Sequence, residues 1–114
     1  MIRNTAVTVC GPLNVNKLGV TYVHEHLMVK PQLPDEYYIP YTLDDEAAST
    51  EETRSFSAAR GETLVEMTPI NYGRNVKAYQ RIAHAIGVHV ICCTGFHKQL
   101  FMPPWFGDKT VGEL

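Results

Sequence analysis

His24 and His26 are the residues of this chain whose types and spacing speak most directly of chemistry. They close the run Gly19-Val20-Thr21-Tyr22-Val23-His24-Glu25-His26-Leu27, which is short, apolar and rich in β-branched residues. Side chains alternate faces along a β-strand, so residues two apart point the same way. The spacing predicts two imidazoles projecting together from the carboxyl end of a strand, with Val20 and Tyr22 beneath them and Val23 and Glu25 opposite. Two imidazoles on one face can share a divalent ion, and imidazole suits zinc and related metals. A catalytic zinc normally takes three protein ligands, so the pair alone does not complete a site. A His-x-His also arises by chance. What sets this one apart is its place, at the end of a strand that leads into a long loop, where α/β folds carry their active sites.

A second group with chemical capacity is Thr94-Gly95-Phe96-His97-Lys98. Lys98 is a compact cation able to meet a phosphate or carboxylate on a substrate. The plainer role is a solvated loop lysine, and His97 beside it need not face the same pocket. Tyr37 and Tyr38 either line a pocket or pack their loop onto the domain, the second being the commoner use of such residues. The acidic cluster 44–52 reads as a solvated helix face. His84 has no partner at ligand spacing and reads as a surface or packing residue.

The elements that must position these residues follow from periodicity and punctuation. Residues 5–9 read as a strand and Gly11-Pro12 as a turn, with 13–18 returning as a second strand to make a short N-terminal hairpin. The central strand, 20–26, comes next. Residues 29–41 carry Pro31, Pro34 and Pro40, which exclude a regular helix and leave a long ordered loop. Thr42 as N-cap, with Asp45 three residues on, predicts a helix that stops at Gly61. A buried strand over 63–68, a loop over 69–73 and a helix over 74–86 ended by Gly87 come next. Val76, Tyr79, Ile82, Ala83 and Ile86 should form the apolar face of that helix. Residues 89–93 are the third strand, 99–114 a loop, and Thr110 to Leu114 resembles the opening of another helix.

The order β, α, β, α, β implies parallel strands joined by right-handed crossovers. Such a set belongs to an open sheet or to part of a (β/α)8 barrel, and a barrel takes about 250 residues. At 114 residues the chain is one domain at most. Its net charge of −2, from 10 Lys and Arg against 12 Asp and Glu, gives no electrostatic reason to expect nucleic acid or an anionic membrane as partner. No apolar run reaches membrane-spanning length, and the opening Met1-Ile2-Arg3-Asn4 does not read as a secretory signal. Three cysteines, Cys10, Cys92 and Cys93, are an odd number, which predicts free thiols in a reducing cytoplasm rather than a disulfide framework. Their expected role is that of small hydrophobes, not catalytic nucleophiles.

The residues also resemble a known family. Gly11-Pro12, then Leu18-Gly19-Val20-Thr21 leading into His24-Glu25-His26-Leu27, is similar to the N-terminal pattern of phosphotriesterase-like proteins of the amidohydrolase superfamily. The similarity continues through Gly61, Thr63-Leu64-Val65-Glu66, Gly73-Arg74-Asn75, Ile82-Ala83, Gly87-Val88 and Thr94-Gly95-Phe96, over nearly the whole chain. The stretch Thr94-Gly95-Phe96-His97-Lys98 looks closest to the branch that hydrolyses phosphorylated sugar lactones. The resemblance implies a metal-dependent hydrolase on a TIM barrel, with a two-metal centre that is usually zinc and with His24 and His26 binding the more buried ion. In the family the bridging lysine or glutamate, two further histidines and a catalytic aspartate come from strands four, five, six and eight. The expectation is therefore that 1–114 is a partial barrel, about three parallel strands with intervening helices after a short hairpin, truncated on its C-terminal side. No catalytic residue is expected within it. Its partner would be a small-molecule ester or lactone. A non-catalytic remnant that associates with itself through an unpaired edge at its third strand is the alternative, and a small flavodoxin-like domain is a third reading that no glycine-rich loop supports.

Overall fold

The computed structural model describes residues 4–31 and 36–114. A two-stranded antiparallel hairpin, β1 (Thr5–Thr8) and β2 (Gly11–Asn14), precedes a parallel sheet of β3 (Thr21–Glu25), β4 (Thr63–Glu66) and β5 (His89–Cys92) in the order β3-β4-β5. Two helices, α1 (Glu46–Ala58) and α2 (Val76–Ile86), form the crossovers.

The hairpin is tighter than the sequence suggests. Thr8 pairs with Gly11, so Val9 and Cys10 make the turn and Gly11-Pro12 belongs to β2. Residues 15–17 then wind into a 3-10 turn capped by the Asn14 side chain. The hairpin leans on the sheet through the Val9 amide, which donates to the Val90 carbonyl at 2.8 Å.

β3 departs from simple alternation. Tyr22 pairs with Leu64 and Glu25 with Glu66, so three steps on β3 match two on β4 and one residue is extra. Paired residues of neighbouring strands share a face. Tyr22 packs on Phe56 of α1, with ring centroids 4.8 Å apart, and Val20, Tyr22 and Glu25 line one hollow beside that helix. Val23 and His24 are exposed. His26 lines the same hollow, so Tyr22 shares its side as expected, and the irregularity overturns only the placing of Glu25 opposite them. Tyr22 and Glu25 go to the helix side together.

Residues 36–41 form a 3-10 turn containing Pro40, in keeping with the exclusion of a regular α-helix there. The side chains of Tyr37 and Tyr38 lie outside the described residues. The N-cap of α1 is Asp45, whose carboxylate accepts from the Ala48 amide at 3.0 Å, and not Thr42. Leu43 is drawn instead into a bridge with Val29, which holds the chain extended until Asp45. At its far end Arg60 takes the left-handed conformation (φ 71°). Gly61 serves packing, since a Cβ there would lie 2.1 Å from the Phe56 ring.

α2 starts at Val76 with Asn75 as N-cap, its side chain accepting from the Ala78 amide, and ends at Gly87 (φ 85°). Its buried face is Ala78, Tyr79, Ile82 and Ala83, while Val76, expected on that face, is exposed at the first turn of the helix. Those residues meet Leu27, Met28, Leu64, Val88 and Val90 in the core. α1 buries far less, with Thr53 as its buried residue, and is fastened by polar contacts. Ser49 donates to the Leu27 carbonyl at 2.6 Å, and Glu46 takes a two-pronged contact from Arg81 of α2, both distances 2.7 Å. The acidic stretch is otherwise solvated, as its composition predicts. After β5, three 3-10 turns (99–101, 104–108 and 111–113) carry the chain on, and Thr110 and Glu113 form a reciprocal capping pair at the last of them.

Candidate metal centre at the strand ends

Parallel strands put their carboxyl ends on one side, and the loops after β3, β4 and β5 all open there. His24 lies within β3 and His26 directly follows it, both exposed. Their ring centroids are 5.4 Å apart, with the planes inclined at 63°. Two imidazoles bound through one nitrogen each to a tetrahedral ion, at about 2.0–2.1 Å, bring their centroids about 5 Å apart. The pair therefore fits one divalent ion in donor type and in separation. Among the described residues no group of three or more His, Cys, Asp or Glu gathers at ligand distance.

Behind His26 lies a buried polar chain. Its Nδ1 is 2.9 Å from Thr68 Oγ1, and Thr68 Oγ1 is 2.5 Å from Glu66 Oε1. Glu66, in β4, is fully buried. Its carboxylate also accepts the Leu27 amide on Oε1 at 3.1 Å and the Thr68 amide on Oε2 at 3.0 Å. Such donors offset the cost of burying a charge. Tyr79 lies against the same group, and burial first, then the Glu66 charge, holds its phenol far above the usual range.

The loop after β5 is fastened by Asn71, which is 3 % exposed in the loop after β4. The His97 amide donates to Asn71 Oδ1 at 2.5 Å, and Asn71 Nδ2 donates to the carbonyls of Phe101 at 2.9 Å and His97 at 3.3 Å. Arg74 reaches the Cys93 carbonyl at 2.9 Å. His97 packs on Tyr72 and Phe101, with centroids at 4.7 and 4.8 Å. Partial burial first, then the Lys98 ammonium and His26, hold its imidazole below the ordinary value. Lys98 is exposed, with its ammonium 5.6 Å from the Phe101 ring centroid.

Sequence reasoning thus marks His24, His26 and the His97–Lys98 loop but passes over Glu66, Thr68 and Asn71. A glutamate inside an otherwise apolar strand was the available signal for Glu66. All three cysteines are free. Burial, with the Glu66 charge second, pushes the Cys92 thiol up to about 11, which suits an inert packing role. Cys10 is exposed, and its Sγ lies 3.6 Å from His84 Nε2, so His84 does have a partner.

The profile of the phosphotriesterase family matches residues 4–113. The chain belongs to that family. It is 38% identical over 104 residues to a phospho-furanose lactonase of Mycoplasmopsis synoviae, covering 89% of this chain and 30% of that protein. Among solved structures, an amidohydrolase from Mycoplasma synoviae superposes with a TM-score of 0.80 at 35% identity, covering 92% of this chain and 31% of that one. A lactonase from Listeria monocytogenes superposes with a TM-score of 0.75 at 26% identity, covering 91% and 33%. The chain therefore spans about a third of the length of these relatives. The fold is the N-terminal part of their (β/α)8 barrel, with β3, β4 and β5 as parallel barrel strands. Among the described residues no helix is long and apolar enough to cross a membrane.

Proposed function

We propose that the protein carrying this chain is a metal-dependent hydrolase that opens an ester bond in a lactone, a phosphate ester or a carboxylate ester. The observation that carries the reading is the His24–His26 pair, at a separation one ion spans, beside the carboxyl end of the first parallel strand of a phosphotriesterase-family chain. The metal proposed is zinc, in a binuclear centre whose other ligands belong to the rest of the barrel, residues 1–114 being its N-terminal part. Bound there, the metal supplies an activated water and polarises the carbonyl or phosphoryl oxygen under attack.

This chain's own residues have narrower tasks. His24 and His26 hold the ion. Asn71 keeps the 97–101 loop in place over the strand ends. His97 and Lys98 meet an anionic group of the substrate remote from the scissile bond, Lys98 swinging on its flexible stem from its resting place over Phe101. A phosphorylated sugar lactone is the substrate class this favours, in line with the name of the Mycoplasmopsis relative. Neither nucleic acid nor membrane is a partner in this reading, and three free thiols suit the cytoplasm.

The test is hydrolysis of a phosphorylated lactone and its unphosphorylated counterpart by the complete protein supplied with zinc. His24→Ala and His26→Ala should each lower kcat/KM by more than about 100-fold, since even residues that only support a ligand are worth 10–100-fold. Lys98→Met should raise KM for the phosphorylated substrate and spare the other. Undiminished turnover without the two histidines would overturn the proposal.

A second reading keeps the self-association but moves it from the third strand, β5, where the Val9 amide already meets the Val90 carbonyl, to the other edge of the sheet, β3, where Tyr22 and Val23 are 54% and 73% exposed. In it the chain is a non-catalytic remnant that associates with itself through that edge. A compact monomer on size-exclusion chromatography would contradict it.

A further inference from the structure

We propose that Thr68 and Glu66 are positioning residues for His26, fixing it in the tautomer that carries its proton on Nδ1 and presents the Nε2 lone pair to the metal. The proposal rests on the reading of His26 as a ligand.

Proton counting sets the direction of the chain. Both Glu66 oxygens accept backbone amides, from Leu27 on Oε1 and from Thr68 on Oε2, and an amide N–H can only donate. Oε1 accepts the Thr68 hydroxyl as well, so each of these contacts uses the side chain as an acceptor. A threonine hydroxyl has one proton, and Glu66 Oε1 at 2.5 Å and His26 Nδ1 at 2.9 Å compete for it, the nearby Tyr79 phenol keeping its own proton. The shorter contact is charge-assisted and takes the proton. The hydroxyl then has only a lone pair to offer His26, so Nδ1 must donate. A neutral imidazole has one N–H, which leaves Nε2 as the acceptor that a metal requires.

The packing fits this use. Glu66 and Thr68 are both fully buried, whereas His26 is exposed. A polar chain therefore runs from a desolvated charge beside Tyr79 to the open strand ends. Metal-bound histidines usually donate their second nitrogen to a carboxylate or carbonyl, which fixes the ring and raises its basicity. Here a hydroxyl stands between the two partners and relays the same polarity. The plainer role for Thr68 is a local turn, since its amide and hydroxyl both cap the Glu66 carboxylate two residues back. That role predicts nothing about the His26 tautomer.

The test is the two-bond 1H–15N correlation of the histidine rings in the complete protein, freed of metal, at about pH 8, well above the ordinary imidazole value of about 6.5. His26 should show a protonated Nδ1 and an unprotonated Nε2. Thr68→Val should return it toward the Nε2–H form and weaken zinc binding, measured by competition with a chromophoric chelator, by about 10–100-fold. Thr68→Ser keeps the hydroxyl and should restore both, and a dispersed amide spectrum checks that each variant folds. An Nε2–H form in the unaltered chain, or a tautomer indifferent to Thr68→Val, overturns the proton assignment whatever zinc does. An Nδ1–H form with no zinc held at His26 overturns the ligand reading, and the positioning role with it.

Discussion

Replacing Asn71 with alanine should unfasten the loop that carries His97 and Lys98. Asn71 bridges two loops, accepting from the His97 amide at 2.5 Å and donating to the Phe101 and His97 carbonyls at 2.9 and 3.3 Å, with Met102 Sδ at 3.9 Å. It is also 3 % exposed, so water does not replace the amide without a rearrangement. Each bond is worth about 1 kcal/mol net, and a buried group deprived of its partner costs about 1–3 kcal/mol, which puts the loss at about 2–4 kcal/mol. With a urea slope of about 1–1.5 kcal/mol per molar for a domain of this size, the midpoint should fall by about 2 M. Amide exchange should accelerate first at His97 and over the 97–102 loop, with the core of α2 following only as global stability drops. Asn71→Asp keeps the acceptor but turns a carboxylate toward two carbonyl oxygens, so it should cost no less. A midpoint within about 0.3 M of the parent, or exchange unchanged at His97, would refute the clamp.

Three further outcomes follow from the same geometry. Ile82→Ala empties a site 1 % exposed at the centre of the core and should cost about 2–5 kcal/mol by urea unfolding. Cys92, with its thiol pushed up to about 11, should resist iodoacetamide near neutrality and gain reactivity only toward alkaline pH, whereas exposed Cys10 reacts first, as peptide mapping would show. His97 has its imidazole held below the ordinary 6.5, so the unfolded chain binds its proton more readily than the folded one. Its contribution to stability is present above 6.5 and declines as pH falls through that value toward its own lower one. His97→Gln should flatten that part of the stability–pH curve.

Strand and helix order, the parallel sheet and the pairing of His24 with His26 were all legible in the sequence, because each rests on local signals: β-branched runs, a 3.6-residue apolar period, and glycine after α2. The extra residue on β3 was not. It shows only against the β4 register, and it moves Tyr22 and Glu25 to one side although their spacing is odd. That α1 starts after Asp45 and not after Thr42 is not legible either, because the Val29–Leu43 bridge, a long-range contact, decides where the helix can begin. Glu66, Thr68 and Asn71 were missed for a related reason. Apart from the local contact between Glu66 and Thr68, their partners lie 26 to 42 residues away on other loops, and spacing along the chain does not reveal them.

The central claim is that His24 and His26 hold a metal ion through their ring nitrogens at the carboxyl end of β3. Anomalous diffraction across the zinc absorption edge, from crystals of the complete protein grown with zinc, tests it directly. The account predicts an anomalous peak about 2.0–2.1 Å from a ring nitrogen of each histidine. It further predicts that the nitrogen on His26 is Nε2, with Nδ1 still facing Thr68. A fully occupied zinc elsewhere in the barrel, with His24 and His26 unligated, would contradict it.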